Sequence, residues 1–386
     1  MKNILFIIAA FFISVPAAFA QTASQPETTA KQAIILDFET GEVLYEKNAD
    51  EKMPTSSMSK VLTTIVIYDA IREGKIKWDD ELPVSERAWK EGGSASGGST
   101  MFLDLNSKAK VSDLIKGIVI QSGNDACIVM AEGIAGTEEN FAGLLNDKAD
   151  DIGMKHSHFM NASGLPDPNH YSTARDLAKM AVYLIQEYPE DYKFYSEKEF
   201  VYNNVRQGNR NPLLYKTIGA DGIKTGHTVD GGYGMIGSAV ANGRRVIMVI
   251  NGTSSMQARA DESEKLMKWA EVSFKNIDLV KKDAVVGKAP VVLGVARDVP
   301  FVASKDVKAT VSAFDKNPAQ LVANYKVPLT APVKAGDPVG ELVITLGNGT
   351  KLTSPLVAAA DVEEASFFSR LSEKFMLMVV GAPKYQ

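Results

Sequence analysis

Apolar residues along this chain change their spacing several times, and each change marks a change of architecture. The first stretch is unbroken: Ile4 to Ile13 follows Lys2 and ends at Pro16. It is well short of the roughly 20 apolar residues that span a bilayer. Ala18-Phe19-Ala20 before Gln21 supplies small residues for cleavage, so residues 1–20 read as a secretory signal peptide. Gln21 to Lys31 is rich in Ser, Thr and Gln and reads as a frayed mature terminus.

Short β-rich runs follow at Ala33 to Asp37 and Glu42 to Lys47, around Glu39-Thr40-Gly41, and predict a hairpin. Pro54-Thr55-Ser56 then offers helix-start chemistry, with Ser56 assigned to the cap, and Met58, Val61, Leu62 and Ile65 recur at helical spacing up to Gly74. Glu91-Gly92-Gly93-Ser94-Ala95-Ser96-Gly97-Gly98-Ser99 reads as a flexible loop of the kind that is functional inside a compact domain. Helical patterns return from Val111 to Ala135, Glu138 to Ile152 and Thr173 to Glu187. Gly222 to Thr228, Gly234 to Ala241 and Arg244 to Asn251 are strands, the last two joined by Asn242-Gly243, a strong hairpin signal. Ser255 to Phe274 is a helix with Leu266, Met267, Trp269 and Ala270 on its apolar face. Strands at both ends with helices between predict an α/β sandwich whose sheet unites distant parts of the chain.

Beyond Ile277 the texture becomes short strands punctuated by Gly, Pro, Asp and Asn, which predicts a small all-β domain ending near Ala358. In the last stretch Phe367, Phe368, Leu371, Phe375, Met378 and Val379 share one helical face, with Ser369, Arg370, Ser372, Glu373 and Lys374 on the other. Such a stripe either packs on its own β domain or lies in a membrane surface by apolar burial. The predicted divisions are 1–20, 21–276, 277–360 and 361–386.

Composition narrows the function more than the fold. The 386 residues are too many for one ordinary core, and 45% hydrophobic with 23% charged residues is a globular balance. A net charge of −5 gives no electrostatic reason to expect nucleic acid. Cys127 is the single cysteine, so no internal disulfide can form, and a buried free thiol is its default reading. His156 and His158 form a pair with no further ligands nearby, and four histidines in all make a catalytic metal a poor expectation.

The candidate chemistry lies in three short motifs. Ser57-Met58-Ser59-Lys60 puts a hydroxyl and an amine on one helical face, where a neutral lysine can take the serine's proton. Ser122-Gly123-Asn124 adds a second hydroxyl for proton return and an amide for substrate contact. Lys224-Thr225-Gly226, leading into His227, offers a cation and a hydroxyl for a carboxylate on an edge strand. Glycine there would leave room for an extended peptide. Each motif alone has an ordinary reading: a surface helix, a helix cap or a strand end. Their order within one domain is what points to serine acyl transfer.

In these motifs the chain resembles the D-alanyl-D-alanine carboxypeptidases, the low-molecular-mass penicillin-binding proteins that trim bacterial peptidoglycan. Asn161-Ala162-Ser163-Gly164-Leu165-Pro166-Asp167 and His170-Tyr171-Ser172-Thr173-Ala174-Arg175-Asp176 carry the resemblance further, and it covers about residues 33–274. It implies a β-lactamase/transpeptidase-like α/β catalytic domain, with an antiparallel sheet flanked by helices plus a helical lobe. A small C-terminal all-β domain and a terminal amphipathic helix complete the family layout.

The resemblance also implies roles. Ser57 would be the nucleophile, Lys60 its base and Ser122 the proton donor to the leaving D-alanine. Asn124 would hold the substrate amide, and Lys224, Thr225 and Arg259 the terminal carboxylate. The backbone amides of Ser57 and His227 would form the oxyanion hole. Peptidoglycan pentapeptide would be the substrate and β-lactams covalent inhibitors, with no cofactor and no metal. Location would be the periplasmic face of the inner membrane. Two rivals are a serine β-lactamase and a penicillin-sensing or wall-scaffolding protein that acylates without turnover. Asp167 is the only acid between Met160 and Tyr171, which disfavours the first.

Overall fold

The computed structural model describes residues 25–316 and 319–380, so the segment read as a signal peptide lies outside the described residues. Two compact units form. The larger takes the chain up to Ile277 together with Lys308–Thr310, and the smaller takes Asp278–Val307 and the residues from Val311 onward.

In the larger unit the strands are β1 (Gln32–Asp37), β2 (Val43–Lys47), β3 (Glu81–Pro83), β4 (Lys108–Lys110), β5 (Glu199–Tyr202), β6 (Val205–Gly208), β7 (Ala220–Thr228), β8 (Gly232–Ala241) and β9 (Arg244–Thr253). Its helices are α1 (Lys60–Arg72), α2 (Val111–Lys116), α3 (Asn124–Ala135), α4 (Glu138–Ile152), α5 (Ala174–Glu187), α6 (Leu213–Lys216) and α7 (Met256–Ser273). The main sheet runs β2-β1-β9-β8-β7, antiparallel throughout, so the first two strands lie beside the last three.

Every residue of β1 is buried because both faces of the sheet are covered. Ile34 and Leu36 point to a core shared with α1, α3, α4 and α5, whereas Ala33 and Ile35 join Leu266, Met267 and Ala270 of α7 on the other side. Each fully buried Ile or Leu contributes roughly 1.5–3 kcal/mol. Asn242 and Gly243 take φ of 53° and 76°, the double left-handed turn that an Asn-Gly hairpin needs.

From Lys60 to Tyr68, α1 is buried on all sides, so it is a core helix rather than a surface one. Its polar residues are satisfied internally: Thr63 donates to the Ala162 carbonyl at 2.6 Å and Thr64 to the Val61 carbonyl at 2.8 Å. Between α2 and α3 the helical path loosens into a wide turn at Gly117–Gln121 and breaks at Ser122, whose φ is 68°.

Three expectations change. The segment Glu91–Ser99 is not a featureless loop: helical turns occupy Ala88–Gly92 and Ser94–Ser96. Phe274 opens a strand and does not end the helix before it. The hairpin β5–β6 was not expected, although Asn203-Asn204, at φ of 48° and 60°, marks its turn.

The smaller unit is built from β10 (Phe274–Val280, which enters from the larger unit), β11 (Val285–Val292), β12 (Asp298–Ala303), β13 (Val307–Ser312), β14 (Ala319–Tyr325), β15 (Leu329–Thr330), β16 (Pro338–Leu346), β17 (Lys351–Ala358) and α8 (Phe367–Val380). Its main sheet runs β14-β16-β17-β12-β11-β15. Glu373 ties α8 to this unit, accepting from the Leu293 backbone N–H at 3.1 Å and from Arg297 at 2.9 Å. The apolar residues of α8 face solvent, with Phe368 80% and Met378 87% exposed.

Candidate active site

The first motif sits on a 3-10 turn, Ser56–Ser59, that feeds directly into α1. The turn is tightly built. Ser56 has φ of 49°, and its carbonyl oxygen is so close to Gly164 that a Cβ there would lie 1.9 Å from it. With φ of +77° as well, position 164 admits glycine alone without rearrangement. Ser56 does not cap the helix as its sequence position suggested; its hydroxyl donates to Thr228 Oγ1 at 3.1 Å and links the turn to β7.

Lys60 is 1% exposed, and its Nζ has three neighbours: Ser57 Oγ at 2.8 Å, Asn124 Oδ1 at 2.8 Å and the Ser163 carbonyl at 2.6 Å. Two of these are carbonyl oxygens that can only accept. A neutral amine therefore gives its two protons to Asn124 and Ser163 and turns its lone pair to the Ser57 hydroxyl. Burial lowers the Lys60 pKa to about 8, with Cys127 opposing that shift and Arg210 adding to it. The Ser163 carbonyl is placed by Asn161, whose Oδ1 accepts from the backbone N–H groups of Ser163, Gly164 and Leu165.

The second motif follows from the break before α3. Ser122 is buried, and its Oγ has no hydrogen-bond partner among the described residues, although it lines the cavity beside Ser57. Buried Asp125 fixes what faces it: its carboxylate accepts from Thr100 Oγ1 at 2.6 Å, Met101 N–H at 3.0 Å and Leu103 N–H at 3.2 Å. Asn124 N–H donates to the Ser99 carbonyl at 2.8 Å. The glycine-rich segment is therefore fastened to α3 and forms one wall.

The third motif lies on β7, the edge strand of the main sheet. Thr225, Gly226 and His227 line a cavity of about 630 Å³ with Ser57, Ser122, Asn124 and Arg259. Lys224 is 3% exposed and donates to the Thr225 carbonyl at 3.2 Å. Burial and the neighbouring cations Lys60 and Arg210 drive its pKa well below the usual lysine value.

Gly226 has a packing reason to be glycine as well. A Cβ there would stand 3.0 Å from the Thr55 carbonyl and 3.1 Å from Ser56 Cβ, so the missing side chain makes room for the nucleophile's turn. His227 stacks on Tyr233 with ring centroids 3.9 Å apart. Arg259, on α7, lies over Tyr233, and burial lowers its pKa to about 10. Its Nε has no partner among the described residues. Sequence reasoning missed Arg210, which joins Arg259 on the lining and whose guanidinium donates to Ser99 Oγ at 2.6 Å. It belongs to no short motif, and only the hairpin that carries the chain toward it could have drawn attention there.

An amine whose lone pair faces a serine hydroxyl takes that proton as the oxygen attacks a carbonyl, and the cations at the far end suit an anionic terminus. That arrangement, on an antiparallel sheet with a helical lobe, is that of a serine acyl-transfer enzyme. The family model described as D-alanyl-D-alanine carboxypeptidase matches residues 19–255, and that of the penicillin-binding protein 5 C-terminal domain matches residues 274–364. The chain belongs to the D-alanyl-D-alanine carboxypeptidase family.

It is 38% identical to D-alanyl-D-alanine carboxypeptidase DacC of Escherichia coli K12, over 95% of this chain and 93% of that one. It is 35% identical to DacA of Haemophilus influenzae, over 92% and 91% respectively. Among solved structures, penicillin-binding protein 5 from Haemophilus influenzae is similar at a TM-score of 0.79 and 34% identity, covering 89% of this chain and 100% of that one.

Proposed function

We propose that this protein is a serine-type D-Ala-D-Ala carboxypeptidase that removes the terminal D-alanine from peptidoglycan pentapeptide. The observation that carries the reading is the Lys60 amine, held by two carbonyl acceptors so that its lone pair meets Ser57.

Ser57 Oγ attacks the carbonyl between the two D-alanines while Lys60 takes its proton. The backbone N–H groups of Ser57 and His227 hold the developing oxyanion. Ser122 then passes a proton from Lys60 to the leaving amine, the C–N bond breaks, and an ester on Ser57 remains. Water attacks that ester, again giving its proton to Lys60, and the shortened peptide leaves. Thr225 and Arg259 take the terminal carboxylate, with Arg210 adding positive potential. Lys224, buried next to Thr225, joins them in facing that carboxylate. Asn124 offers its Nδ2 to the amide upstream of the scissile bond.

A β-lactam would acylate Ser57 in the same way, and slow turnover of that ester makes it an inhibitor. Asp167, the acid considered for β-lactamase-type deacylation, does not line the catalytic cavity; its carboxylate accepts from Asn169 N–H at 2.7 Å. The exported, periplasmic setting rests on the N-terminal leader and on α8. Among the described residues no helix is long and apolar enough to cross a membrane. The outward apolar face of α8, with Glu373 turned to the β domain, suits a helix lying in the membrane surface.

Intact-mass analysis after penicillin treatment tests the site, and one adduct on Ser57 is expected. Release of free D-alanine from a pentapeptide ending in two D-alanines tests the reaction. Full labelling without release would instead indicate an acylating sensor.

A further inference from the structure

His170 is buried, 5% exposed, and lies outside the catalytic cavity, yet it bonds to both segments that hold Lys60. Its Nδ1 accepts the Met160 backbone N–H at 3.2 Å, and its Nε2 lies 2.8 Å from Ser59 Oγ. A neutral ring that accepts at Nδ1 carries its proton on Nε2, so it donates to Ser59. Ser59 Oγ in turn lies 2.5 Å from Thr55 Oγ1, which continues the chain of bonds. Phe159 meets the ring edge-on, at a centroid distance of 5.3 Å.

Both histidine bonds have one direction. Protonation would aim an Nδ1–H at the Met160 N–H, and burial lowers the His170 pKa to about 4, so the ring stays neutral at physiological pH. On one side of the ring is the Thr55–Lys60 turn with the nucleophile and its base. On the other is the segment after Met160, where the Ser163 carbonyl takes one Lys60 proton. Both nitrogens of a buried ring must find partners, and here those partners are these two segments.

We propose that His170 is a positioning residue that fixes the Ser163 carbonyl relative to the nucleophile's turn, so that the Lys60 lone pair is directed at Ser57. This rests on the Ser57–Lys60 reading of the site. In the full chain, His170→Gln keeps a donor for Ser59, His170→Asn keeps an acceptor for Met160, and His170→Leu keeps neither.

The readouts are the rate of acylation by a fluorescent penicillin and the final stoichiometry. His170→Leu should acylate at least tenfold more slowly yet reach full stoichiometry, and the Gln and Asn variants should each recover part of that rate. Ser59→Ala should also slow acylation, and the double variant should be no slower than the slower single, since both changes break one chain of bonds. Wild-type rates in His170→Leu, multiplying losses in the double variant, or a lost labelled fraction with a normal rate would each overturn the proposal. If His170→Leu does not fold, the Asn variant and Ser59→Ala support the same comparison. Labelling of the wild-type chain at Ser57 in the same experiment keeps this claim separate from the one on which it rests.

Discussion

The Ser163 carbonyl oxygen lies 2.6 Å from Lys60 Nζ, closer than the Ser57 hydroxyl at 2.8 Å. The base is thus oriented by a backbone group from a segment far along the chain. Lys60 must be neutral to accept a proton, and its pKa is lowered to about 8. The neutral fraction grows as pH rises through that value. Acylation by penicillin should therefore increase from pH 6 to 9 and level off above, with a midpoint about 8. A flat profile over that range would count against Lys60 as the base.

Gly164 should tolerate no side chain. Gly164→Ala places a Cβ 1.9 Å from the Ser56 carbonyl at a φ of +77°. The expected cost is about 1–3 kcal/mol of stability or more, read as a lowered melting temperature, with slower Ser57 labelling because the displaced oxygen belongs to the residue before the nucleophile.

Arg259 should matter in proportion to the charge at the substrate's end. Arg259→Ala should reduce kcat/KM for a peptide with a free terminal carboxylate by about 30- to 150-fold, the loss of a charge-assisted hydrogen bond of ~2–3 kcal/mol. The same peptide with an amide terminus should lose far less. Comparing the two substrates in the wild type and the variant separates carboxylate recognition from general damage to α7.

The exposed face of α8 should govern membrane attachment and nothing else. A Phe367→Ser, Phe368→Ser, Phe375→Ser variant should stop floating with liposomes, while the unaltered chain floats. Release of D-alanine from a soluble peptide should be the same in both. Equal flotation would show that attachment lies elsewhere.

The periodicity of the chain revealed most of the scaffold, because the main strands and helices carry strong alternation or strong helical spacing. It also brought Ser57 and Lys60 together, since a spacing of three puts them on one helical turn, and the structure sets them 2.8 Å apart. What it missed depends on contacts between remote segments. Ser56 looks like a cap until Thr228, 172 positions away, is seen to accept its hydroxyl. Arg210 belongs to no motif, and only the assembled cavity gives it a part. The glycine-rich segment reads as flexible by composition, but Asn124 N–H holds its last residue, Ser99, and Asp125 holds Thr100, Met101 and Leu103 just beyond it.

The strand order β2-β1-β9-β8-β7 has a bearing on how activity first appears. Ser57 emerges early in synthesis, but the strand that completes its surroundings is held in place by β8 and β9. A chain stopped before Thr253 would contain every motif and still lack an assembled centre. Reactivity toward penicillin should therefore arise late and all at once during folding. That makes covalent labelling a direct clock for the closing of the sheet.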